Sequence, residues 1–468
     1  MRSLGQADLR YETPETVARV IARHVPKRGG TLLDPCVGRG CLIKPVMRYM
    51  GERLQRTVCV DTSEQALDEF SSGLDKRTRR MVTCINANFL ELTQACGPHF
   101  GGQLFDCVVM NPPFLAKKQD HVIVDELGQG RGKHVAPVEA AFIVRGVELL
   151  KPGGRLLAVL PPSVISGASA EWLRLRLMKE GAVLYVHELP AFTFRDVESR
   201  VYLFVYEKSS TQRKIVLLNH DLMHPHRLLL DVHACASPYR FDFNYQATKS
   251  AYQRIVHASP TLEWGPLCDI ADVFRGTEMR REDHDSILHT DHLKKGFWET
   301  PKGECVSPTS MARVTATAGD ILGKRVGRGC ASSFGKYAGA DHRVCTDCLF
   351  IVRPKPTGST AMVLLSMRIV STSHWGRAQL EQGTGAAYIS GTSLKRMLVP
   401  TVLDRRFPRL SAQYHHAVEI ACFRTMVRIE SRIRTHLERD ARLVTSNGCE
   451  EVVRGQDPIG ASRHRALR

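Results

Sequence analysis

Short apolar runs alternate with stretches of helical length from about residue 13 to residue 210. The runs are Thr31-Leu32-Leu33, Thr57 to Val60, Met81 to Ile85, Phe105 to Met110, Arg155 to Leu160, Val183 to His187 and Val201 to Tyr206. Each is too short for a buried helix, and most are separated by helix-length segments. That spacing predicts an α/β unit with a doubly wound, largely parallel sheet. The last run follows its predecessor so closely that the two are expected to form an antiparallel pair. Ahead of the first run, Thr13-Pro14-Glu15-Thr16 reads as a helix start, with Val17, Val20, Ile21 and His24 at helical spacing behind it.

Beyond residue 210 the pattern changes. Ser209 to about Ser259 keeps no regular period and reads as a connection. Leu262 to Val402 carries glycine-rich turns at Gly323 to Gly329, Gly335 to Gly339 and Gly383 to Gly391, which predict a mixed α+β unit of short, irregular strands. Leu410, Tyr414, Val418, Ala421, Met426, Ile429, Ile433 and Leu437 lie at the spacing of one long amphipathic helix. The expected organisation is residues 1–210, a connecting segment 211–260, a second domain 261–404, a helix 405–445 and a disordered tail 446–468.

A chain of 468 residues exceeds one typical domain, which agrees with this division. Its 65 Lys and Arg against 48 Asp and Glu give a net charge of +17, which suits a polyanionic partner, nucleic acid first. A solvated basic face is the ordinary alternative. The 14 cysteines sit in apolar runs such as Val58-Cys59-Val60, as small buried hydrophobes of a reducing cytoplasm. Cys345 and Cys348 form a single CxxC with no partner pair at finger spacing, so no metal is expected. No apolar run approaches the length of a membrane span.

Three motifs carry chemistry. Leu33-Asp34-Pro35-Cys36-Val37-Gly38-Arg39-Gly40 follows the first run, where an open α/β sheet binds its ligand and a glycine turn lets the backbone come close. It lacks the third glycine of the dinucleotide fingerprint. With an acid at the strand end, it suits a sulfonium nucleoside with an amino-acid tail better than a pyrophosphate. Asp61 closes the second run, placed to accept from two ribose hydroxyls, and Asn88-Phe89 after the third offers an amide and a ring to an adenine. An ordinary strand–helix turn, a helix cap at Asp61 and a core role for Phe89 are the structural alternatives.

The third motif is Asn111-Pro112-Pro113-Phe114 at the end of the fourth run. Two consecutive prolines remove two backbone donors and force an extended corner, a costly choice for structure alone. An exocyclic amine conjugated to a base or amide is a poor nucleophile because its lone pair is delocalised. If the Asn111 side-chain oxygen and the Pro112 carbonyl each accept one of its hydrogens, the nitrogen is drawn toward tetrahedral geometry and its lone pair faces an electrophile. Positioning and electrostatics then carry the catalysis without a tuned general base.

These motifs resemble those of the S-adenosylmethionine-dependent DNA adenine amino-methyltransferases, in the order of the gamma arrangement. The resemblance covers residues 11 to 208 and implies a Rossmann-like class I methyltransferase domain with S-adenosylmethionine as cofactor. It implies that Thr13 contacts the methionine portion, that Asp34 lies by the methionyl amino group in the loop of Cys36, Gly38 and Gly40, and that Asp61 holds the ribose. Asn88 and Phe89 would hold the adenine, although Asn88 stands where the family usually has Asp. Asn111, Pro112, Pro113 and Phe114 would be catalytic, and Phe194 would pack against a flipped base, with Phe192 as the alternative.

The second domain resembles the target recognition domain of Type I restriction specificity subunits. Leu267 to Thr277, Ile287 to Leu293, Ala318 to Leu322 and Gly383 to Ser390 with Leu394 and Val399-Pro400 occur in the same order, and the following helix resembles their spacer helices. The partner implied is double-stranded DNA, with Lys324, Arg325, Arg328 and Lys336 as candidate phosphate contacts. The basic segment from Phe114 to Pro137 is expected to fold over DNA and substrate base. The expectation is N6 methylation of adenine in a specific duplex sequence by a cytoplasmic protein of bacterial or phage origin, with any restriction endonuclease or defence-system subunit a separate chain. An RNA or glutamine amino-methyltransferase, a cytosine N4 enzyme and a non-catalytic DNA-binding specificity protein are the alternatives.

Overall fold

In the computed structural model, residues 12–92, 100, 104–113, 121–125, 133–190, 192–194, 201–220, 226–232, 240–258, 262–277, 287–301, 314–356, 358–382 and 387–445 are described. The apolar runs become strands β1 (Gly30–Asp34), β2 (Leu54–Asp61), β3 (Val82–Asn86), β4 (Phe105–Met110), β5 (Leu150–Leu160), β6 (Gly181–Glu188) and β7 (Tyr202–Lys208). With β8 (Lys214–Leu218) and β9 (Arg227–Asp231) they form one nine-stranded sheet in the order β9-β8-β6-β7-β5-β4-β1-β2-β3. Strands β1 to β5 run parallel, and β7 inserts antiparallel between β5 and β6.

Every residue of β1 and β4 is buried, so their apolar residues run together, Leu32-Leu33 and Cys107 to Met110, instead of alternating. Helices cover both faces. Helix α1 (Glu15–Ala22) and α2 (Ile43–Met50) bury Val17, Ile21, Ile43 and Val46 against Leu32, Cys107 and Val109, while α4 (Val138–Glu148) and α5 (Glu171–Glu180) cover Val108, Leu156 and Ala158. Burying one such Val, Leu or Ile side chain is worth about 1.5–3 kcal/mol. α3 (Glu64–Ser72) is capped by Ser63, whose hydroxyl accepts from the Ala66 N–H at 3.2 Å.

The stretch read as an irregular connection is ordered where described. It adds β8 and β9 to the sheet edge and then forms α6 (Phe243–Ala258). β9 has alternating exposure suited to an edge hairpin, a period too brief to register against its polar surroundings. Arg240, almost fully buried, forks onto Asp242 at 2.8 and 2.7 Å and donates to the Glu381 carbonyl at 3.0 Å, while Phe241 N–H donates to Ile165 O. This short stretch therefore ties the first half to the second.

The second half holds a six-stranded sheet built from β10 (Ala271–Arg275), β11 (Leu293–Lys294), β12 (Phe297–Trp298), β13 (Ile321–Lys324), β14 (Gly335–Tyr337) and β15 (Leu349–Pro354), in the order β10-β15-β13-β14-β12-β11. Helix α7 (Thr360–Ser371) lies deeply buried beside it, followed by α8 (His374–Leu380). The single long helix expected at the C-terminal end is two: α9 (Pro408–Glu419) and α10 (Phe423–Thr445). The apolar step from Ala421 to Met426 spans five residues and breaks the helical phase. Ala421 turns left-handed there (φ 53), and the Cys422 N–H closes back on Ala417 O at 2.8 Å. The Arg368–Glu430 ion pair (2.6 and 3.2 Å), joined by Tyr414 Oη at 3.0 Å, locks α7, α9 and α10 together inside the core. Residues 446–468 lie outside the described part of the chain.

Candidate active site

Because β1, β2, β4 and β5 are parallel, Asp34, Asp61, Asn111 and Pro161 leave the sheet at one edge. Asp34 ends β1 with its side chain buried, and its Oδ1 accepts the Cys36 N–H at 3.1 Å. Burial pushes its pKa up to about 8; the Cys36 amide pulls against this, and the nearby Asp61 charge adds to it. At neutral pH the carboxyl is therefore mostly protonated, poised to ionise when a cation arrives. Burial and the Asp34 charge also push the Cys36 thiol well above its ordinary range, while the Asn111 main-chain N–H donates to its sulfur.

Gly38 and Gly40 both take positive φ, 51° and 80°. A Cβ on Gly40 would sit 2.3 Å from the Phe70 ring, whereas one on Gly38 would meet nothing within 4 Å. The Gly38 position thus borders open space, and its N–H donates to Asp61 Oδ2 at 2.7 Å. The other Asp61 oxygen accepts the Ser63 N–H at 3.0 Å. Both contacts fix the plane of a half-exposed carboxylate at the end of β2. The donor set fits a cationic amino-acid tail beside Asp34 and a hydroxylated sugar beside Asp61.

Asn111 is half-buried at the end of β4, and its Nδ2 donates to Thr13 Oγ1 at 3.1 Å across 98 residues of sequence. Thr13 is buried at the start of α1. That bond makes Oδ1 the acceptor face of the amide, and Oδ1 is covered from solvent in this state. The structure therefore brings together Thr13, Asp34, Cys36, Gly38, Asp61 and Asn111 through shared contacts. Pro112 is buried and Pro113 exposed behind them; Phe114 lies outside the described residues. Of the segment expected to cover DNA, the described parts form an antiparallel hairpin, His121–Asp125 with Lys133–Pro137.

Other expected residues stand elsewhere. Asn88 is exposed and spends its side chain locally, Nδ2 on Glu91 at 2.7 Å and Oδ1 on the Leu90 N–H at 3.2 Å. Phe89 is a core residue against Phe142, with ring centroids 5.3 Å apart. Phe194, expected at a flipped base, is instead 1% exposed and packs in the core with Leu189 and Val201. The accessible ring of that turn is Phe192, 64% exposed and left-handed at φ 60, in a turn closed by the Thr193 hydroxyl on Pro190 O at 2.6 Å. A bulky residue held there is strained. The motifs did not point to Glu139, a buried carboxylate that accepts the Ser163 hydroxyl at 2.9 Å just beyond β5. An acid opening a helix that continues with the apolar stretch Ala140 to Val144 was its only signal.

Of the candidate phosphate contacts, Arg325 is committed. Its guanidinium donates to Asp347 O at 2.6 Å and Asp347 Oδ2 at 3.1 Å, an oxygen it shares with Arg275 at 2.8 Å, so its donors are turned onto this neighbour. Lys324 and Lys336 are half-buried on β13 and β14, and Arg328 is exposed. Among the described residues, no group of three His, Cys, Asp or Glu is placed to hold a metal, and no helix is long and apolar enough to cross a membrane.

The sheet order, the antiparallel β7 and the glycine loop at the carboxyl edge define a class I methyltransferase fold. Residues 3–226 match the family model described as N-6 DNA Methylase. Defense against restriction protein B of Escherichia phage P1 is 34% identical over 200 residues, covering 41% of this chain and 8% of that protein. The chain thus spans a small part of the length of that relative. The Type IIL restriction-modification enzyme MmeI, solved in complex with DNA, aligns over 94% of this chain and 73% of its own, with 10% identity and a TM-score of 0.52. That likeness in fold reaches across both halves. The type I restriction-modification methyltransferase subunit from Streptococcus thermophilus covers 44% of this chain and 47% of its own, at 23% identity and a TM-score of 0.37.

Proposed function

We propose that the chain is a DNA methyltransferase that transfers a methyl group to the exocyclic N6 of adenine in a specific duplex sequence. The observation that carries this reading is the Asn111 amide, oriented by Thr13 at 3.1 Å and tied through its main chain to the loop that holds Asp34. S-adenosylmethionine, when bound, supplies an electrophilic methyl group. Asp34 would hold its amino group, Asp61 its ribose and the Gly38 turn its open flank.

The chain's own residues then do three things. Asn111 Oδ1 and the Pro112 carbonyl accept the two hydrogens of the adenine amine, which localises the nitrogen lone pair without removing a proton first. The proline corner keeps both acceptors fixed, so no reorganisation is needed as positive charge develops on nitrogen. Phe192 stacks on the base, which has to leave the duplex to reach the pocket. Entry requires the residues covering Oδ1 to part. Lys324, Arg328 and Lys336 of the second half act as phosphate contacts, a role supported by the likeness in fold to an enzyme solved with DNA.

The test is methyl transfer to duplex DNA by wild-type and Asn111→Ala proteins. Wild-type protein is expected to methylate adenine N6, and Asn111→Ala to lose at least about a hundredfold in rate while keeping its fold. Transfer to RNA or to a glutamine side chain, with none to duplex DNA, would overturn the reading.

A further inference from the structure

We infer that the edge of the nine-stranded sheet opposite the candidate active site is a second, sequence-independent surface for the phosphate backbone of duplex DNA. Strands β1, β2 and β3 all begin at that edge, and basic residues stand just before each of them. Arg23 ends α1, Lys27 and Arg28 lead into β1, Arg53 precedes β2, and the short helix Lys76–Arg80 precedes β3. Contacts join these groups into one surface: the Arg53 guanidinium donates to Lys27 O at 3.0 Å, and Glu52 beside it reaches Arg77 at 3.7 Å. Arg23, Lys27, Arg28 and Arg155 also line a cleft of about 340 Å³ that includes Glu207.

Of the carboxylates named on this edge, Glu52 is exposed and reaches Arg77 alone, while the other three are closely engaged. Asp106 holds Lys151 at 2.7 Å, Arg28 at 3.4 Å and the Thr31 N–H at 3.0 Å, Asp75 caps the basic helix through the Arg77 and Thr78 N–H groups, and Glu207 holds Arg155 at 2.8 Å. Arg23, Lys27 and Arg80 are exposed beside them. A protein partner needs an apolar centre. The large exposed hydrophobic here is Tyr49, and the Arg53 guanidinium lies 5.7 Å from its ring centroid. Guanidinium groups spread along an edge suit phosphate oxygens, which they bind bidentately.

From Asp106 at this edge to Asn111 at the other, β4 spans roughly 17 Å. A duplex seated with a flipped base at Asn111 cannot lie along this edge in the same straight run. The surface therefore takes a separate or strongly bent stretch of DNA. The inference goes beyond the proposed methyl transfer and needs only that the chain meets duplex DNA.

The experiment measures binding of a long duplex lacking any methylated product, across a range of salt concentrations, by wild-type protein and by Arg23→Gln/Lys27→Gln/Arg80→Gln. Losing three phosphate contacts is expected to reduce the slope of log affinity against log salt by about 2–3. Thermal unfolding and S-adenosylmethionine binding are expected to stay at wild-type values. An unchanged slope overturns the inference, as does wild-type binding of poly-glutamate or inorganic phosphate without binding of duplex. Asn111→Ala separates the two claims. If it and wild type bind duplex alike, the slope depends on the three cations, and neither protein transfers methyl, the proposed function fails and this surface stands. If transfer is intact and the triple variant keeps its slope, this surface fails and the function stands.

Discussion

Replacing Asp34 by Asn tests whether the buried carboxyl at the end of β1 is kept for a cationic ligand at the expense of stability. Asn preserves the shape and the acceptor for the Cys36 N–H but never ionises. The carboxyl is raised from 3.8 in the unfolded chain to about 8 in the fold, with burial as the main cause. Between those values the folded protein holds a proton that the unfolded chain has released, so stability falls as pH rises from about 4 to about 8. At about 1.4 kcal/mol per pH unit, the penalty at pH 7 has an upper limit of about 4 kcal/mol. It grows by about 2 kcal/mol between pH 6 and pH 8 and levels off above that.

Denaturant unfolding without cofactor, at pH 6 and pH 8, reads this directly. Asp34→Asn is expected to be the more stable protein, with its advantage larger at pH 8. It is also expected to lose S-adenosylmethionine binding in calorimetry, whereas wild-type protein releases a proton on binding at pH 7. A stability difference that does not grow between the two pH values would refute the reasoning, as would undiminished cofactor binding by the variant.

Four further substitutions probe particular contacts. Phe194→Ala should cost about 3–5 kcal/mol of stability in urea unfolding, because it empties a core position. Phe192→Gly should leave stability unchanged or raise it by up to about 1 kcal/mol, since glycine relieves the left-handed backbone, while transfer to adenine slows; equal effects of the two changes would count against Phe192 as the stacking ring. Glu430→Leu strands the buried Arg368 guanidinium and should cost about 3–5 kcal/mol in urea unfolding, while Arg405→Ala on the exposed pair with Glu263 should cost less than about 1 kcal/mol.

Much of this molecule is written locally. Continuous apolar runs such as Cys107 to Met110 announce buried parallel strands, and the glycine turn after Asp34 announces a ligand edge, because both demands fall on adjacent residues. The meeting of Thr13 with Asn111 was not legible, since a contact over 98 residues leaves no periodic trace; the family resemblance assigned each a role and not this bond. Phe192 and Phe194 are indistinguishable by composition; the turn closed on Pro190 decides which ring faces out. The Arg240 contact with the Glu381 carbonyl was invisible because 141 residues separate the two, although its other acceptor, Asp242, stands close by in sequence. Likewise, the basic edge is scattered along the sequence and gathered by parallel pairing of three strands.

The most direct measurement incubates the protein with duplex DNA and S-adenosylmethionine, digests the DNA to nucleosides and identifies the methylated species by mass spectrometry. The account predicts N6-methyladenosine's deoxy form from wild-type protein and none above background from Asn111→Ala. N4-methylcytosine as the product, or equal adenine methylation by both proteins, would contradict it.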